Sequence, residues 1–446
     1  MTTFDVRDVA PFSTDPATVG IRSARATPAD ESPYALTERL GKVLVRVENA
    51  YVDPVDRSKV LGGAIKGMVA ELDPHSSYMP KDEFAAFQSD TEGKFGGVGL
   101  EVDGRDGRLV VIAPIEGSPA ARAGVRSGDV VSRVDDVFVE GATLDSVVLK
   151  MRGKEGTHVK LTVRREGAPT PLSFDLTREV IHVASVVSKL LANDVLYVRV
   201  KQFQDGTHDE FVKAIADRRA EAKGRLRGVV LDLRSNPGGL VDEAASVADE
   251  FLDSGVVFTT HHRNVTLDVV HAEAGGALVG VPASVLVNAW SASASELVAG
   301  ALQDPGRATV VGAETFGKGS VQTILELPDG AGMRLTTARY YTPKGHAIQA
   351  DGVQPDVLVL TGYTDAETLK EGDLAGHLAP ERQRPKRTPR RVVDVRRKRP
   401  EGAKGAFADD SGDTDVSLDV RKIPHDPSSG TDVALRVAYD TITKSP

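Results

Sequence analysis

Four short apolar runs recur between residues 195 and 312, at 195–200, 228–233, 285–287 and 309–312. They are predominantly apolar rather than alternating, Arg199 and Asp232 being the charged exceptions, which is the pattern of strands buried on both faces. Helical stretches at 208–219, 240–251 and 295–302 separate them. Strand–helix alternation of this kind requires a sheet with crossover helices, so it predicts an α/β core and excludes an all-helical or purely antiparallel one.

The flanks have other textures. From Tyr34, the residues Leu36, Leu40, Val43, Leu44, Val47 and Tyr51 share one helical face, and Asp53-Pro54 ends it. A second helix is expected over 60–72, stopped by Asp73-Pro74. This pair reads as a small helical layer packed on its neighbours, with a homo-oligomer interface as the alternative. After the glycine-rich 93–99, short strands are expected at 98–102, 109–112, 130–134 and 159–164. A short helix follows Ser118-Pro119, with serine as the N-cap and proline in the first turn. The resulting division is a polar tail at 1–33, a helical segment at 34–94, a β-rich module at 95–168, the α/β core at 169–362 and an extension at 363–446. Within the extension, 382–399 is basic and proline-broken and reads as a solvated, disordered linker. A last amphipathic helix is expected over 431–442.

Composition narrows the chemistry. The net charge of −9 argues against nonspecific nucleic-acid binding. The absence of cysteine removes disulfides, thiolate metal sites and a cysteine nucleophile. No run approaches the ~18 apolar residues of a membrane span.

Three segments could carry a reaction. In 228–240 (GVVLDLRSNPGGL) a strand turns at Asn236-Pro237-Gly238-Gly239 into a helix, where free amides can bind an oxyanion. A plain strand-to-helix turn fits that segment equally well. In 285–300 (VLVNAWSASASELVAG) an apolar strand delivers Ser291, Ser293 and Ser295, alternating with alanine, ahead of a helix. Taken alone this is an N-cap cluster as readily as a nucleophile turn. In 314–322 (ETFGKGSVQ) Lys318 lies between two glycines. It is a surface lysine, or, if buried beside a serine, a neutral general base that Gln322 could orient. His75 and His346 sit at turns and show no acidic partner, and His261 and His262 point to opposite faces of a strand. Ser–Lys therefore has more support than Ser–His–Asp, and no metal-ligand cluster stands out.

The segments together resemble the carboxy-terminal processing peptidases, the tail-specific-protease type, over about residues 34–376. YVDPVD (51–56), GAIKGMVAELDPHSSYM (63–79), GGVGLEV (96–102), IEGSPAARAGVRSGDVVSRVD (115–135), YVRVKQF (197–203), GVVLDLRSNPGGLV (228–241), SASASELVAGALQD (291–304), TFGKGSVQ (315–322), TTARYYTPKGHAIQADGVQPD (336–356) and a weaker GDLAGHL (372–378) occur in the family's order. The resemblance implies a peptidase core similar to the crotonase and Clp-protease folds, with an inserted PDZ domain at 95–168. It implies Ser293 as nucleophile, Lys318 as base, Gln322 as its orienting partner, and an oxyanion hole from Ala294 N–H with Gly238 or Gly239. Neither metal nor cofactor is required. The substrate C-terminus would sit on Gly97, Val98, Gly99 and Leu100, where several amides can converge on a carboxylate.

Two departures stand out. Trp290 takes a position the family commonly gives to glycine, and residues 1–33 lack the apolar segment of an export signal, although the family implies the bacterial periplasm or cell envelope. Two rival readings belong to other classes: a crotonase-like acyl-CoA enzyme, and a non-catalytic PDZ adaptor with a peptidase-like core. The inserted module and the Ser293/Lys318 pair count against the first, and the filled catalytic positions count against the second.

Overall fold

The computed structural model describes residues 32–91, 94–105, 108–115, 117–139, 141–142, 144–263, 265–362, 368–380, 387–396 and 420–444. Nearly all of the expected N-terminal tail and part of the basic run lie outside them. The chain divides into two units, at residues 1–65 and 66–446.

In the first unit, helix Pro33–Ala50 begins where Ser32 Oγ accepts from Ala35 N (3.2 Å) and proline fills the first turn. The second helix, Arg57–Ala70, runs across the division. Arg57 pairs with Glu48 at 2.6 Å. Leu36, Leu40, Val43 and Tyr51, expected to pack on neighbours, are exposed.

The second unit is built around a seven-stranded sheet. Its order is Val186–Leu191, Val195–Val200, Gly228–Asp232, Ala283–Val287, Thr309–Gly312, Val357–Leu360 and Arg391–Asp394. Every neighbour pair is parallel except the first. Both faces are covered, which is why the strands read as predominantly apolar runs. Leu196, Val198, Val229, Leu231, Val285 and Val310 pack with helices Thr207–Glu221, Val241–Asp249 and Ala294–Gln303. The alternate residues, Val195, Tyr197, Val230, Leu286 and Val311, face Leu435, Val437 and Tyr439 of the C-terminal helix Val433–Thr443.

That last layer is the amphipathic helix expected near the end of the chain, which begins at Val433 rather than Thr431. The helix is N-capped by Asp432, whose Oδ1 accepts from Leu435 N (2.9 Å), while Oδ2 accepts from the buried Arg234 (2.9 Å). Part of the basic run is also ordered. Arg391–Asp394 forms the sheet's last strand, and Arg387 pairs with the buried Asp356 at 2.9 Å. A sheet edge and a buried acid supply partners that charge composition does not reveal.

A second, antiparallel sheet joins Ser77–Met79, Gly332–Tyr341, Val256–His262 and Val265–His271, with Ser320–Glu326 also paired to Gly332–Tyr341. The β-rich module is a six-stranded sheet around Val111, Ala120, Val131, Leu161 and Val163. Its strand Leu172–Thr177 lies beyond the expected limit of 168, because it pairs with His158–Arg164 along its whole length. The ribbon Lys94–Gly97 with Glu179–His182 closes the module at its two chain connections.

Candidate active site

Three adjacent parallel strands, Gly228–Asp232, Ala283–Val287 and Thr309–Gly312, each open at the carboxyl end into one of the three segments singled out above. Loops at that edge of a parallel sheet converge, since no strand continues through them.

The first loop is stitched to the second by Asn236, which is fully buried. Its amide donates to Val200 O (2.9 Å), and its carbonyl accepts from Ala292 N and Ser295 Oγ, both at 3.0 Å. Its side-chain oxygen accepts from Gly238 N (2.8 Å). Among the described residues, the N–H groups of Gly239 and Ala294 have no such acceptor. Gly238 has φ +100°, and a Cβ there would lie 2.9 Å from Ser293 Cβ and 3.0 Å from Ala294 N. Only glycine allows the two turns to come this close.

Ser293 has φ +57° and ψ −118°, a strained backbone that lifts one residue out of the strand-to-helix path. Its neighbours do structural work instead. Ser291 Oγ donates to Leu233 O (2.8 Å) and accepts from Asn288 N (3.0 Å), and both Ser291 and Ser295 are fully buried. The exposed Trp290 leads into this turn, its N–H held by Asn288 Oδ1 at 3.1 Å.

Glu296 joins the Ser293 turn to the lysine loop, and sequence reasoning missed it. Its Oε2 accepts from Ser293 N (2.8 Å) and Lys318 N (2.9 Å), and its Oε1 from Gly317 N (2.7 Å) and Thr315 Oγ1. One carboxylate oxygen thus holds the backbones of both expected catalytic residues. Complete burial pushes its carboxyl up to about 7, against the pull of these donors. The Ser-x-x-Glu spacing of a capping box was the available signal.

Lys318 is partly buried. Burial, then the Arg334 guanidinium, hold its amine below the ordinary lysine range, while Glu371, Asp73 and Glu296 pull the other way. Among the described residues its amine is hydrogen-bonded neither to Ser293 Oγ nor to Gln322. The Gln322 amide donates instead to Ser320 Oγ (2.9 Å) and Thr336 Oγ1 (3.3 Å). The structure therefore brings the serine and lysine backbones together without a closed side-chain dyad.

The histidines also correct expectation. His75 Nε2 lies 2.8 and 3.0 Å from the two oxygens of the buried Glu371, and His346 Nδ1 lies 3.2 Å from both oxygens of Asp304. Their partners stand 296 and 42 residues away in sequence. His261 stacks on Tyr341 (4.2 Å between centroids), while His262 faces Thr337 O (2.7 Å). Among the described residues no group of three or more His, Cys, Asp or Glu is placed to hold a metal.

In the β-rich module, Gly99 adopts φ +73°, and the carbonyls of Val98 and Gly99 are taken by Ala120 N and Ile115 N (both 3.0 Å). Their own N–H groups have no acceptor among the described residues. Val98 is buried in the module's core and Leu100 is half-buried. Gly97 ends the ribbon, paired with Glu179.

A strained serine turn, a neighbouring glycine turn and a lysine loop at the carboxyl edge of one sheet, with a β-rich module ahead of them in the chain, fit a serine-type peptidase. Comparison with known proteins agrees. The sequence profile of peptidase family S41 matches residues 194–359, that of the PDZ domain 96–176, and that of the activating protease CtpB N-terminal domain 17–83. A carboxy-terminal-processing protease of Bartonella bacilliformis is 42% identical over 359 residues, 78% of this chain and 82% of that one. The carboxy-terminal processing protease CtpA of Bacillus subtilis is 35% identical over 345 residues, 75% of this chain and 73% of that one. Among solved structures, the photosystem II D1 C-terminal processing protease is 32% identical, covering 71% of this chain and 86% of its own, with a TM-score of 0.44. The chain belongs to the carboxy-terminal processing peptidases of family S41.

Proposed function

We propose that Ser293 is the nucleophile, neutral Lys318 its general base, and the N–H groups of Ala294 and Gly239 the oxyanion hole. The observation that carries this reading is the single Glu296 oxygen accepting from both Ser293 N and Lys318 N. Gly239 is preferred to Gly238 because the Gly238 amide is already held by Asn236. Lys318 takes the proton of Ser293, whose oxygen attacks the scissile carbonyl, and the two amides stabilise the tetrahedral oxyanion by roughly 3–4 kcal/mol per donor. The amine departs with a proton returned from Lys318. Water then hydrolyses the acyl-enzyme with Lys318 again as base.

Because only the neutral amine accepts the proton, kcat/KM rises with pH through the lowered pKa of Lys318. A pH–rate profile on a fluorogenic peptide tests this. A rising limb that disappears in a His75→Ala or His346→Ala variant would assign the base to histidine instead.

The PDZ domain is read here as the reader of substrate C-termini. The free amides of Val98 and Gly99 support that, since a PDZ groove holds a terminal carboxylate in such a nest. The core position of Val98 leaves Leu100 as the better side-chain contact for an apolar last residue. A peptide ending in a free apolar carboxylate is then cut faster than its amidated twin, and equal rates would sink this role.

Two further expectations accompany the assignment. The exposed face of Leu36, Leu40 and Val43 supports self-association through the N-terminal helix, measurable by sedimentation. The family resemblance supports a bacterial envelope location, tested by cell fractionation. No described helix is long and apolar enough to cross a membrane.

A further inference from the structure

The loop that carries Lys318 is tied into a network of groups from distant parts of the chain. Glu371, fully buried, receives His75 Nε2 at 2.8 Å and Gln349 Nε2 at 2.9 Å. Gln349 Oε1 in turn accepts from Gly319 N (3.0 Å), and Glu371 N donates to Phe316 O (3.0 Å). Ala350 N donates to Gly317 O (2.8 Å). The backbone on both sides of Lys318 is thus tied to the Glu371 cluster. On the opposite flank, Arg334 Nε donates to His75 O (2.8 Å), and Asp73 holds the same turn by accepting from His75 N and Ser76 N, both at 2.8 Å. Thr336 Oγ1 donates to Asp73 (3.2 Å) and accepts from Gln322 (3.3 Å).

The charges that act on the amine are Arg334 from the antiparallel sheet, Glu371 from the C-terminal segment, Asp73 from the turn after the second helix and Glu296 from the helix after Ser293. A carboxylate with no solvent exposure persists in such a place only when its partners are fixed. His75 and Gln349 supply that fixation for Glu371.

We propose that Glu371 and Arg334 are positioning residues exerting opposite electrostatic pulls on the Lys318 amine, and that His75 and Gln349 lock Glu371 to the lysine loop. This rests on Lys318 being the base. Glu371 favours the ammonium form and Arg334 the neutral form, so the working proton affinity of the base is the balance between them. The His75–Glu371 contact makes the segment before the PDZ domain part of the catalytic machinery's frame.

The test is the pH dependence of kcat/KM for the full chain on a fluorogenic peptide. Glu371→Gln removes the charge and keeps the shape, so the rising limb moves to lower pH by about half a unit or more. Arg334→Met moves it to higher pH by about the same amount. His75→Ala lowers kcat with little change in KM, and the H75A/E371Q double variant is more active than H75A alone, because the orphaned carboxylate is gone. Limbs that stay in place in both folded charge variants, or that move in the same direction, overturn the proposal. So does a double variant no better than H75A. If E371Q loses its near-UV circular dichroism, the Arg334→Met arm decides. Lys318→Ala separates the two levels: residual wild-type cleavage overturns the Ser–Lys reading, whereas a dead K318A with unmoved limbs overturns this inference alone.

Discussion

Ser293 stands on a turn held by its own sequence neighbours and by the adjacent parallel strand, whereas the loop and charge environment of Lys318 are set by remote residues, among them Asp73, Arg334, Gln349 and Glu371. On the serine side the partners are backbone groups: Leu233 O for Ser291 and Asn236 O for Ser295. Those serines and Asn236 are fully buried, and the sheet fixes their register. On the lysine side the partners are charged or amide side chains, with Asp73, Gln349 and Glu371 buried and Arg334 half-buried, and the amine makes no hydrogen bond among the described residues. Backbone stitching gives a turn one geometry. Side-chain charge clusters set a proton affinity, and their balance can be tuned residue by residue.

The sharpest way to break this contrast is to remove both reacting groups. Ser293→Ala and Lys318→Ala should each abolish casein cleavage, by up to about 10⁶-fold, and the double variant should lose no more than either single one. Additive losses would mean that the two sides act independently.

Glu296→Gln is next in size. It leaves both sides folded but replaces the shared acceptor of Ser293 N and Lys318 N, so kcat should fall roughly 10²-fold, the cost of a small misplacement. Single-turnover kinetics would show whether chemistry or binding is lost. An unchanged chemical step would show that each side holds itself.

Ser291→Ala and Ser295→Ala probe the stitching alone. Each should cost about 1 kcal/mol in urea unfolding, since Leu233 O or Asn236 O loses one of its two donors, while activity stays measurable. Loss of activity without loss of stability would give these serines a chemical role. The smallest effect expected is that of Gln322→Ala, a few-fold fall in kcat. Its amide touches Ser320 and Thr336, so it reaches the lysine through the frame in this state of the site. A loss as large as that of K318A would mean that it contacts the amine directly during the reaction.

How much could be read in advance follows the same division. The strands Val195–Val200, Val130–Val134 and Thr309–Gly312 occupy the expected residues, because an apolar run between turn residues is a local signal. Ser118 caps its helix as expected, through a contact spanning three residues. The turns at Asn236–Gly239 and Ser291–Ser295 were legible for the same reason, and motif order carried the family. The acidic partners of His75 and His346 were not legible, nor were the strand at Arg391–Asp394 and the packing of the expected last helix on the second face of the sheet. Each depends on a partner tens to hundreds of residues away.

By itself, then, the sequence determined where strands end, which turns carry glycine and serine, and which residue types stand ready for acyl transfer. Only the tertiary structure decided that Gly238's amide is occupied while Gly239's has no acceptor among the described residues, that one Glu296 oxygen joins serine to lysine, and that Glu371 and Arg334 pull in opposite directions on Lys318. The physical reason is range. Backbone conformation and hydrophobic period are set over a few residues, but burial and Coulomb interaction depend on distances through space, which exist only once the sheet has brought remote loops to one edge.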